Sequence, residues 1–479
     1  MSRRTWSALA AAALLTPLLA ATTGPAAEAD DTTAPTSSSP VKVLAPRHTR
    51  VPAYDGRVYL DSVATLVAQN EPFEIRATRP SYASSVVGFW RRSSGDVALP
   101  ADSMRTLSGL NAFARVSVRT TAGTPLREFA VRGCFNGARQ RLRPDAQAHR
   151  TYPEMCSANA YALGTVMGIE EGWGLPLGGY RSLKLSPGAY DVVVSITPRW
   201  RDFFGISEAD GTSVTRMRVV TGTYRSPATA RTTTLLRPAA QEPGRHAGGS
   251  SDGPRPDLRS LPAWDVSLNP NGRWLRFAAN VWNGGDSPLV VDGYRGPDDE
   301  HMDAYQYFFD TDGNQLGYQQ VGEMHFHAAN HNHWHFEDFA RYRLLDANKQ
   351  PVGRSNKQSF CLAATDAVDY TLPAADWFPQ NTDLGTACGG PSALAVRQSL
   401  PVGSGDTYAQ FRAGQAIRVD GLPNGIYYLA VEANPSGRLI ESDTTNNVAL
   451  RRIRLGGTPT KRWVRVPQVG VIVDPVTQQ

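Results

Sequence analysis

Short runs of β-branched and aromatic residues, each bounded by glycine, proline, asparagine or aspartate, constrain the fold of this 479-residue chain most strongly. Typical examples read FARVSVRT, YDVVVSI, WLRFAANVW and IYYLAVEA. Such runs predict β-strands joined by turns, and long stretches with a helical period of hydrophobic residues are scarce. The sequence therefore predicts an all-β protein, for which two β-sandwich domains are the most economical architecture.

The ends of the predicted domains are marked by segments without strand patterns. The N-terminus combines two arginines, an apolar run and a small-x-small cleavage site, as signal peptides do. Two later stretches are rich in Gly, Pro, Ser and Thr and predict flexible connections. The expected order is a signal peptide (1–29), a flexible leader (30–41), an N-terminal β-sandwich accessory domain (42–237), a linker (238–256), a second β-sandwich (257–456) and a C-terminal tail (457–479).

These features predict a secreted protein, exported by the general or the twin-arginine route. No later run reaches the roughly 18 apolar residues of a membrane span. An exported chain with an even number of cysteines favours disulfides, and pairing between sequence neighbours gives Cys134–Cys156 and Cys361–Cys388. The net charge of +5 is mild, and no dense run of lysine and arginine with interleaved aromatics indicates nucleic-acid binding.

The two predicted sandwiches resemble each other in sequence. Residues 185–198 align without gaps on 422–435, and residues 168–177 align on 399–408. Each half also has one cysteine pair at a similar separation. Together the matches predict an ancient duplication, in which the first copy has Leu177 where the second has Tyr408.

Histidine is concentrated in one place. The chain has nine histidines, and five of them lie between positions 325 and 335. In an extended strand alternate side chains share a face, so the HNHWH sequence places His331, His333 and His335 together, with Trp334 on the core side. Three imidazoles in this pattern favour a transition metal with open coordination positions. A solvated histidine-rich loop is the alternative, and His325 and His327 are predicted to be neighbours of the site.

Five motifs in order resemble the catalytic domain of the lysyl oxidase family, over residues 256 to about 455. The motifs are WLRFAANVWNGGDSPL (274–289), HNHWH with FEDFARYRLLD (331–346), NKQSFCL (356–362), GDTY (405–408) and NPSGRLIESDTTNN (434–447). The chain departs from vertebrate members in having fewer cysteines, with Asn330 just before the histidines. The stretch between the third and fourth motifs is also longer than the resemblance leads us to expect.

The resemblance implies a site and a cofactor. It implies that His331, His333 and His335 bind copper and that Lys357 and Tyr408 are cross-linked into lysine tyrosylquinone. It also implies oxidative deamination of primary amines, including peptidyl lysine, by O2, with release of aldehyde, ammonia and hydrogen peroxide. The chain is therefore expected to be a secreted copper-dependent amine oxidase.

The residue types themselves suit this chemistry. A lysine amine adds to an oxidised phenol ring only when it is neutral, and burial favours the neutral form by lowering the pKa of the amine. The quinone then accepts electrons from an amine bound as a Schiff base. A general base removes the proton, and the candidates are Asp338, Asp406 and, third, Glu337.

Other functions remain open at this stage. The main alternative is a non-catalytic extracellular module that binds copper and a partner or polymer on a β-sandwich. A third possibility is an enzyme that uses another metal with a hydrolytic water. A cross-link between Lys357 and Tyr408 distinguishes the oxidase from both.

Overall fold

The computed structural model describes residues 39–60, 63–222, 253–310, 315–327, 332–357, 359–378, 385–458 and 461–472. The predicted signal peptide, nearly all of the leader and most of the linker lie outside these residues. The predicted all-β class is confirmed, because nearly every described element is a strand. Among the described residues, no helix is long and apolar enough to cross a membrane.

The N-terminal half contains strands and two short helices. The first helix begins with a proline after Thr197 and ends at Gly205, whose φ of 66° is left-handed and suits glycine. The elements are β1 (Val41–Leu44), β2 (His48–Tyr54), β3 (Arg57–Leu60), β4 (Ala64–Ala68), β5 (Phe73–Thr78), β6 (Val87–Arg91), β7 (Val97–Ala98), β8 (Leu110–Thr120), β9 (Pro125–Gly133), β10 (Gln140–Arg141), β11 (Gly164–Ile169), β12 (Trp173–Leu177), β13 (Arg181–Lys184), β14 (Gly188–Ile196), α1 (Pro198–Phe204), α2 (Glu208–Gly211) and β15 (Thr212–Thr221).

The described elements of the C-terminal half are all strands, of 2 to 13 residues. Its elements are β16 (Leu258–Ser260), β17 (Trp264–Leu268), β18 (Trp274–Asn283), β19 (Leu289–Tyr294), β20 (Met302–Phe309), β21 (Gln315–His327), β22 (His333–Glu337), β23 (Ala340–Leu345), β24 (Pro351–Arg354), β25 (Ser359–Phe360), β26 (Asp366–Ala367), β27 (Ala395–Leu400), β28 (Ser404–Tyr408), β29 (Ala416–Arg418), β30 (Gly425–Ala433), β31 (Val448–Thr458) and β32 (Lys461–Arg465). The tail thus supplies β32, which pairs with β31 at a sheet edge.

Each half folds into three sheets around its own core. In the N-terminal half the strand orders are β1-β4-β12-β10, β11-β5-β6-β7 and β13-β3-β2-β15-β14-β8-β9. In the C-terminal half they are β16-β18-β28-β26, β25-β22-β21-β20-β19-β27 and β24-β23-β30-β31-β32. Alternate residues of the strands point inward, as in β5, where Phe73, Ile75 and Ala77 are buried and their neighbours are half-buried or exposed. Two further apolar clusters join the halves.

The two halves show the same order of strands in the regions that align in sequence. The ungapped alignments place β11 on β27, β12 on β28 and β14 on β30, residue for residue. Leu177, the counterpart of Tyr408, is buried in the N-terminal core. These correspondences are what a duplication predicts, and the duplication itself stays a prediction.

Both predicted disulfides are confirmed. Cys134 is bonded to Cys156, and Cys361 is bonded to Cys388. The second disulfide ties the end of β25 to the segment beside β22, where the Trp334 amide donates a hydrogen bond to the Cys388 carbonyl at 3.0 Å. The disulfide therefore ties the end of β25 to the segment that is hydrogen-bonded to the histidine strand.

Candidate functional site

The histidine-rich strand lies near one edge of a six-stranded sheet, between β25 and β21. Strand β22 pairs antiparallel with β21, so that His333 faces His327 and His335 faces His325 across the ladder. Trp334 is buried in the core, as predicted. The extended conformation begins at His333, because Asn332 has a left-handed φ of 54°. His331 lies outside the described residues, so its position on this face stays a prediction.

Three imidazole rings lie close together at this place. The ring centroid of His335 is 4.3 Å from that of His327 and 4.8 Å from that of His333. His325 pairs with His301, and their ring centroids are 4.0 Å apart. His327 thus packs directly on one of the predicted ligands.

The donor set of this cluster suits copper, because imidazole nitrogens are among the ligands that copper prefers. Within the described part of the chain, no three His, Cys, Asp or Glu side chains are arranged to hold a metal ion. The first histidine of the motif is outside that part. The assignment of His333 and His335 as metal ligands therefore stays a proposal based on their type and proximity.

Lys357 lies in a buried pocket against two aromatic rings. Its side chain is only 7% exposed. The Nζ atom is 4.5 Å from the ring centroid of Tyr408 and 4.8 Å from that of Phe360, and it donates a hydrogen bond to the Ser359 carbonyl at 3.3 Å. The Tyr408 ring packs edge-on against Phe360 at 4.8 Å. The fold thus brings the amine and the phenol ring together from residues that are far apart in sequence.

The electrostatics of this pocket favour a neutral amine. Burial lowers the pKa of Lys357 to about 8, and the nearby positive charge of Arg412 acts in the same direction, while Asp406 opposes both. Burial raises the pKa of Asp406 to about 7, with the Lys357 charge opposing the rise. Burial also raises the pKa of the Tyr408 hydroxyl, and the Asp406 charge adds to this effect. Lys357 and Asp406 therefore titrate as a coupled pair near neutral pH.

Ser359 connects the histidine cluster with the lysine pocket, and the sequence reasoning missed it. Its hydroxyl lies 3.2 Å from Nδ1 of His335 and 3.1 Å from Nε2 of His327, while its carbonyl accepts from Lys357. Strand pairing explains the position, because Ser359 faces Glu337 across the β22–β25 ladder. The sequence feature that could have identified Ser359 is its position in the K-x-S-F-C motif.

The three predicted general-base candidates lie in different surroundings. Asp406 is 3% exposed and precedes Tyr408 by two residues on the same face of β28. Asp338 is in the turn between β22 and β23, with a left-handed φ of 59°. Glu337 is half-buried, with its carboxylate 3.9 Å from Nε2 of His327. Of the three, Asp406 is electrostatically coupled to both Lys357 and Tyr408.

The pKa of Lys357 gives a testable pH dependence. In the metal-free protein the Lys357 amine should lose its proton as the pH rises through about 8, well below the ~10.4 of an ordinary lysine. Nitrogen-15 NMR of the lysine side chains would measure the titration directly. Replacement of Asp406 by asparagine should move the midpoint lower, because it removes the negative charge that stabilises the ammonium form. A Lys357 midpoint near the ordinary value would contradict the pocket described above.

The fold and the candidate site together define the class of protein. This is an all-β protein that buries a lysine amine against a tyrosine ring, beside a cluster of imidazoles. Residues 317–464 match the sequence model of the lysyl oxidase family. The predicted resemblance to this family is therefore confirmed over residues 317–464, which include four of the five motifs.

Individual relatives match the same region. The protein-lysine 6-oxidase of Homo sapiens is 37% identical over 129 residues, which are 26% of this chain and 27% of the human protein. The protein-lysine 6-oxidase of Sus scrofa is 36% identical over 129 residues, 26% of this chain and 45% of the pig protein. Lysyl oxidase homolog 3B of Danio rerio is 31% identical over 145 residues, 30% of this chain and 16% of the fish protein. The chain thus matches less than half of the length of each of these relatives.

Proposed function

We propose that this protein is a secreted, copper- and quinone-dependent oxidase of primary amines. The observation that carries the proposal is the 4.5 Å distance between Nζ of Lys357 and the ring centroid of Tyr408, next to the imidazoles of His333 and His335. Membership of the C-terminal region in the lysyl oxidase family supports amine oxidation. The two disulfides support an oxidising compartment and hence secretion.

The residues present fit both implied groups. The imidazoles of His333 and His335, together with the predicted ligand His331, would hold copper, and Lys357 with Tyr408 would form lysine tyrosylquinone. When present, copper with O2 supplies the oxidation of the phenol ring, and the quinone supplies a carbonyl that takes the substrate amine and its electrons.

The surrounding side chains prepare these residues for their roles. Burial increases the fraction of Lys357 in the neutral form that can add to a ring, since it lowers the pKa of the amine to about 8. Phe360 fixes the plane of Tyr408 by edge-on packing, which limits the approach of the amine to one part of the ring. The Ser359 hydroxyl holds the His335 ring through Nδ1, and such partners orient a metal-binding imidazole.

Asp406 is the residue that we assign as general base. Its pKa of about 7 leaves a substantial fraction ionised at neutral pH, and a base with a pKa near the working pH transfers protons efficiently. Its carboxylate accepts the proton from the carbon beside the substrate nitrogen. Asp338 is the competing assignment from the sequence, and it lies in the turn between β22 and β23 rather than on the strand of Tyr408.

The substrate class follows from the relatives. Two of the similar proteins are named protein-lysine 6-oxidases, so the amine of a peptidyl lysine is the substrate that we propose for this chain. Hydrogen peroxide, ammonia and an aldehyde are the corresponding products.

Mass spectrometry of the full chain after aerobic copper loading tests the proposal. We expect a peptide in which Lys357 is covalently joined to Tyr408, and its absence from a sample loaded without oxygen. Separate, unmodified peptides from the aerobic sample would refute the oxidase and leave a copper-binding module on a β-sandwich. A catalytic site with a different metal and a hydrolytic water would also give separate peptides.

A further inference from the structure

The strand that carries Tyr408 is held from two sides. On one side β28 pairs with β18 of its own half. On the other side it pairs with the two-residue strand β26, where Asp366 faces Gly405 and Ala367 faces Ser404. Strand β26 lies in the chain between Lys357 and Tyr408, and the residues after it reach the N-terminal half of the protein.

The N-terminal half binds β26 through the side chain of Asp366. This carboxylate is 2% exposed and accepts hydrogen bonds at 2.8 Å from the Ala158 amide and at 2.8 Å from Nδ2 of Asn159. Burial raises the pKa of Asp366, and the two donors from the N-terminal half counteract that rise. The carboxylate is therefore stabilised by residues more than two hundred positions earlier in the chain.

The Asp366 carboxylate also accepts a hydrogen bond from β28, the strand that carries Tyr408. Thr407, the neighbour of Tyr408 in β28, donates its hydroxyl hydrogen to Asp366 at 3.3 Å and accepts a hydrogen bond from Asn280 at 2.8 Å. A chain of hydrogen bonds thus runs from Asn159 through Asp366 and Thr407 to Asn280. Asn280 is fully buried in β18, so both ends of the chain are anchored.

Backbone contacts reinforce this connection. The Leu163 amide donates to the Val368 carbonyl at 2.8 Å, and the Tyr370 amide donates to the Gly164 carbonyl at 3.3 Å. Gly164 lies so close to Asp369 and Thr371 that a Cβ atom would collide with both side chains. Val368 also packs in an apolar cluster with Tyr161 of the N-terminal half. The two halves therefore meet at the segment that runs between the two proposed cofactor residues.

We propose that the N-terminal half is a positioning domain, in which Asn159 acts through Asp366 to hold the strand of Tyr408 in register for reaction with Lys357. The inference rests on the proposed function, to which it assigns a role for the first half of the chain. Asn159 and Asp366 are positioning residues, because they act through Thr407 and contact neither Lys357 nor Tyr408. A small displacement of the ring slows a reaction between two held groups steeply.

Two variants of the full chain loosen this contact by different routes. Asn159→Ala removes the donor to Asp366, and Gly164→Val forces β11 away from the segment 368–371. Asn111→Ala is the matched control for the first, since it makes the same change at an asparagine of the N-terminal half whose side chain donates to the Asp102 carbonyl and not to Asp366. Gly188→Ala is the control for the second, because a Cβ there meets only ordinary contacts. Circular dichroism and thermal melting establish that each protein is folded.

Two measurements test whether β28 is held in place. Hydrogen exchange of the amides in 404–408, followed by mass spectrometry, should become about tenfold faster or more in both test variants, the effect of losing a buried hydrogen bond to a charged group. Formation of the Lys357–Tyr408 cross-linked peptide after aerobic copper loading should slow by about ten- to a hundredfold. Affinity for copper should not change, and both controls should behave as the unmodified chain.

The outcomes separate this inference from the proposed function. Exchange rates in Asn159→Ala that match those of Asn111→Ala would overturn the positioning role, whatever the cross-link does. If the unmodified chain forms no cross-link, the oxidase proposal fails, and the exchange measurement still decides the positioning role. If Gly164→Val does not fold, Asn159→Ala decides alone.

Discussion

Replacing Lys357 by arginine should abolish amine oxidation and the cross-link to Tyr408, while copper binding is retained. An arginine keeps the positive charge and much of the size, but its guanidinium is always protonated and cannot add to an oxidised ring. Tyr408→Phe should have the same effect, because the ring then lacks the hydroxyl from which a quinone forms. Loss of an obligatory covalent group lowers turnover by on the order of a thousandfold or more. Peroxide release with a primary amine as substrate measures this loss.

Matched substitutions separate chemistry from folding. Lys349→Arg changes an exposed lysine close in sequence to Lys357, and Tyr427→Phe changes a buried tyrosine whose hydroxyl only donates to the Pro423 carbonyl. Both controls should keep the cross-link and the activity. Peroxide production by Lys357→Arg at the rate of Lys349→Arg would rule out the assignment of Lys357.

The second large effect is expected at the imidazole cluster. His333→Ala and His335→Ala should each weaken copper binding by about a hundredfold or more, because even partners outside the ligand set contribute ten- to a hundredfold to metal affinity. The cross-link and the activity should disappear with the metal. Isothermal titration with a competing chelator measures the affinity, and mass spectrometry measures the cross-link.

The remaining histidines provide the comparison. His149→Ala, an exposed histidine of the N-terminal half, should leave copper affinity unchanged. His327→Ala should have an intermediate effect, since its ring packs on His335 and shares Ser359 with it. Copper affinity that survives in His335→Ala but is lost in His325→Ala would move the metal site to the His301–His325 pair.

Local patterns predicted much of the fold. The four runs quoted at the outset lie in β8, β14, β18 and β30, because alternating apolar residues bounded by turn formers suffice to define a half-buried strand. The assumption that cysteines pair with their neighbours in sequence likewise sufficed for the disulfides. The bounds of the histidine strand were predicted less well. The HNHWH sequence reads as one extended unit, yet Asn332 adopts a left-handed φ, and β22 begins only at His333.

The sequence indicated candidate members of the site but not the contacts between them. Lys357 and Tyr408 carry no mark of their own in the sequence, and they were found through the motifs around them. Ser359 was overlooked, because a serine becomes informative only when its distances to His335 and Lys357 are known. The Asn159–Asp366 hydrogen bond was equally out of reach, since no local pattern indicates which buried asparagine meets which aspartate.

The sequence by itself determined the all-β class, the cysteine pairs and the residues with the right chemistry, because these depend on side-chain type and on periodicity along short segments. Only the tertiary structure decided which of those residues meet. It brought the Lys357 amine to the Tyr408 ring, lowered the pKa of that amine and joined the two halves beside the strand of Tyr408. Distance and burial are properties of packing between distant segments, and they decide whether a lysine, a tyrosine and a set of histidines act as one site.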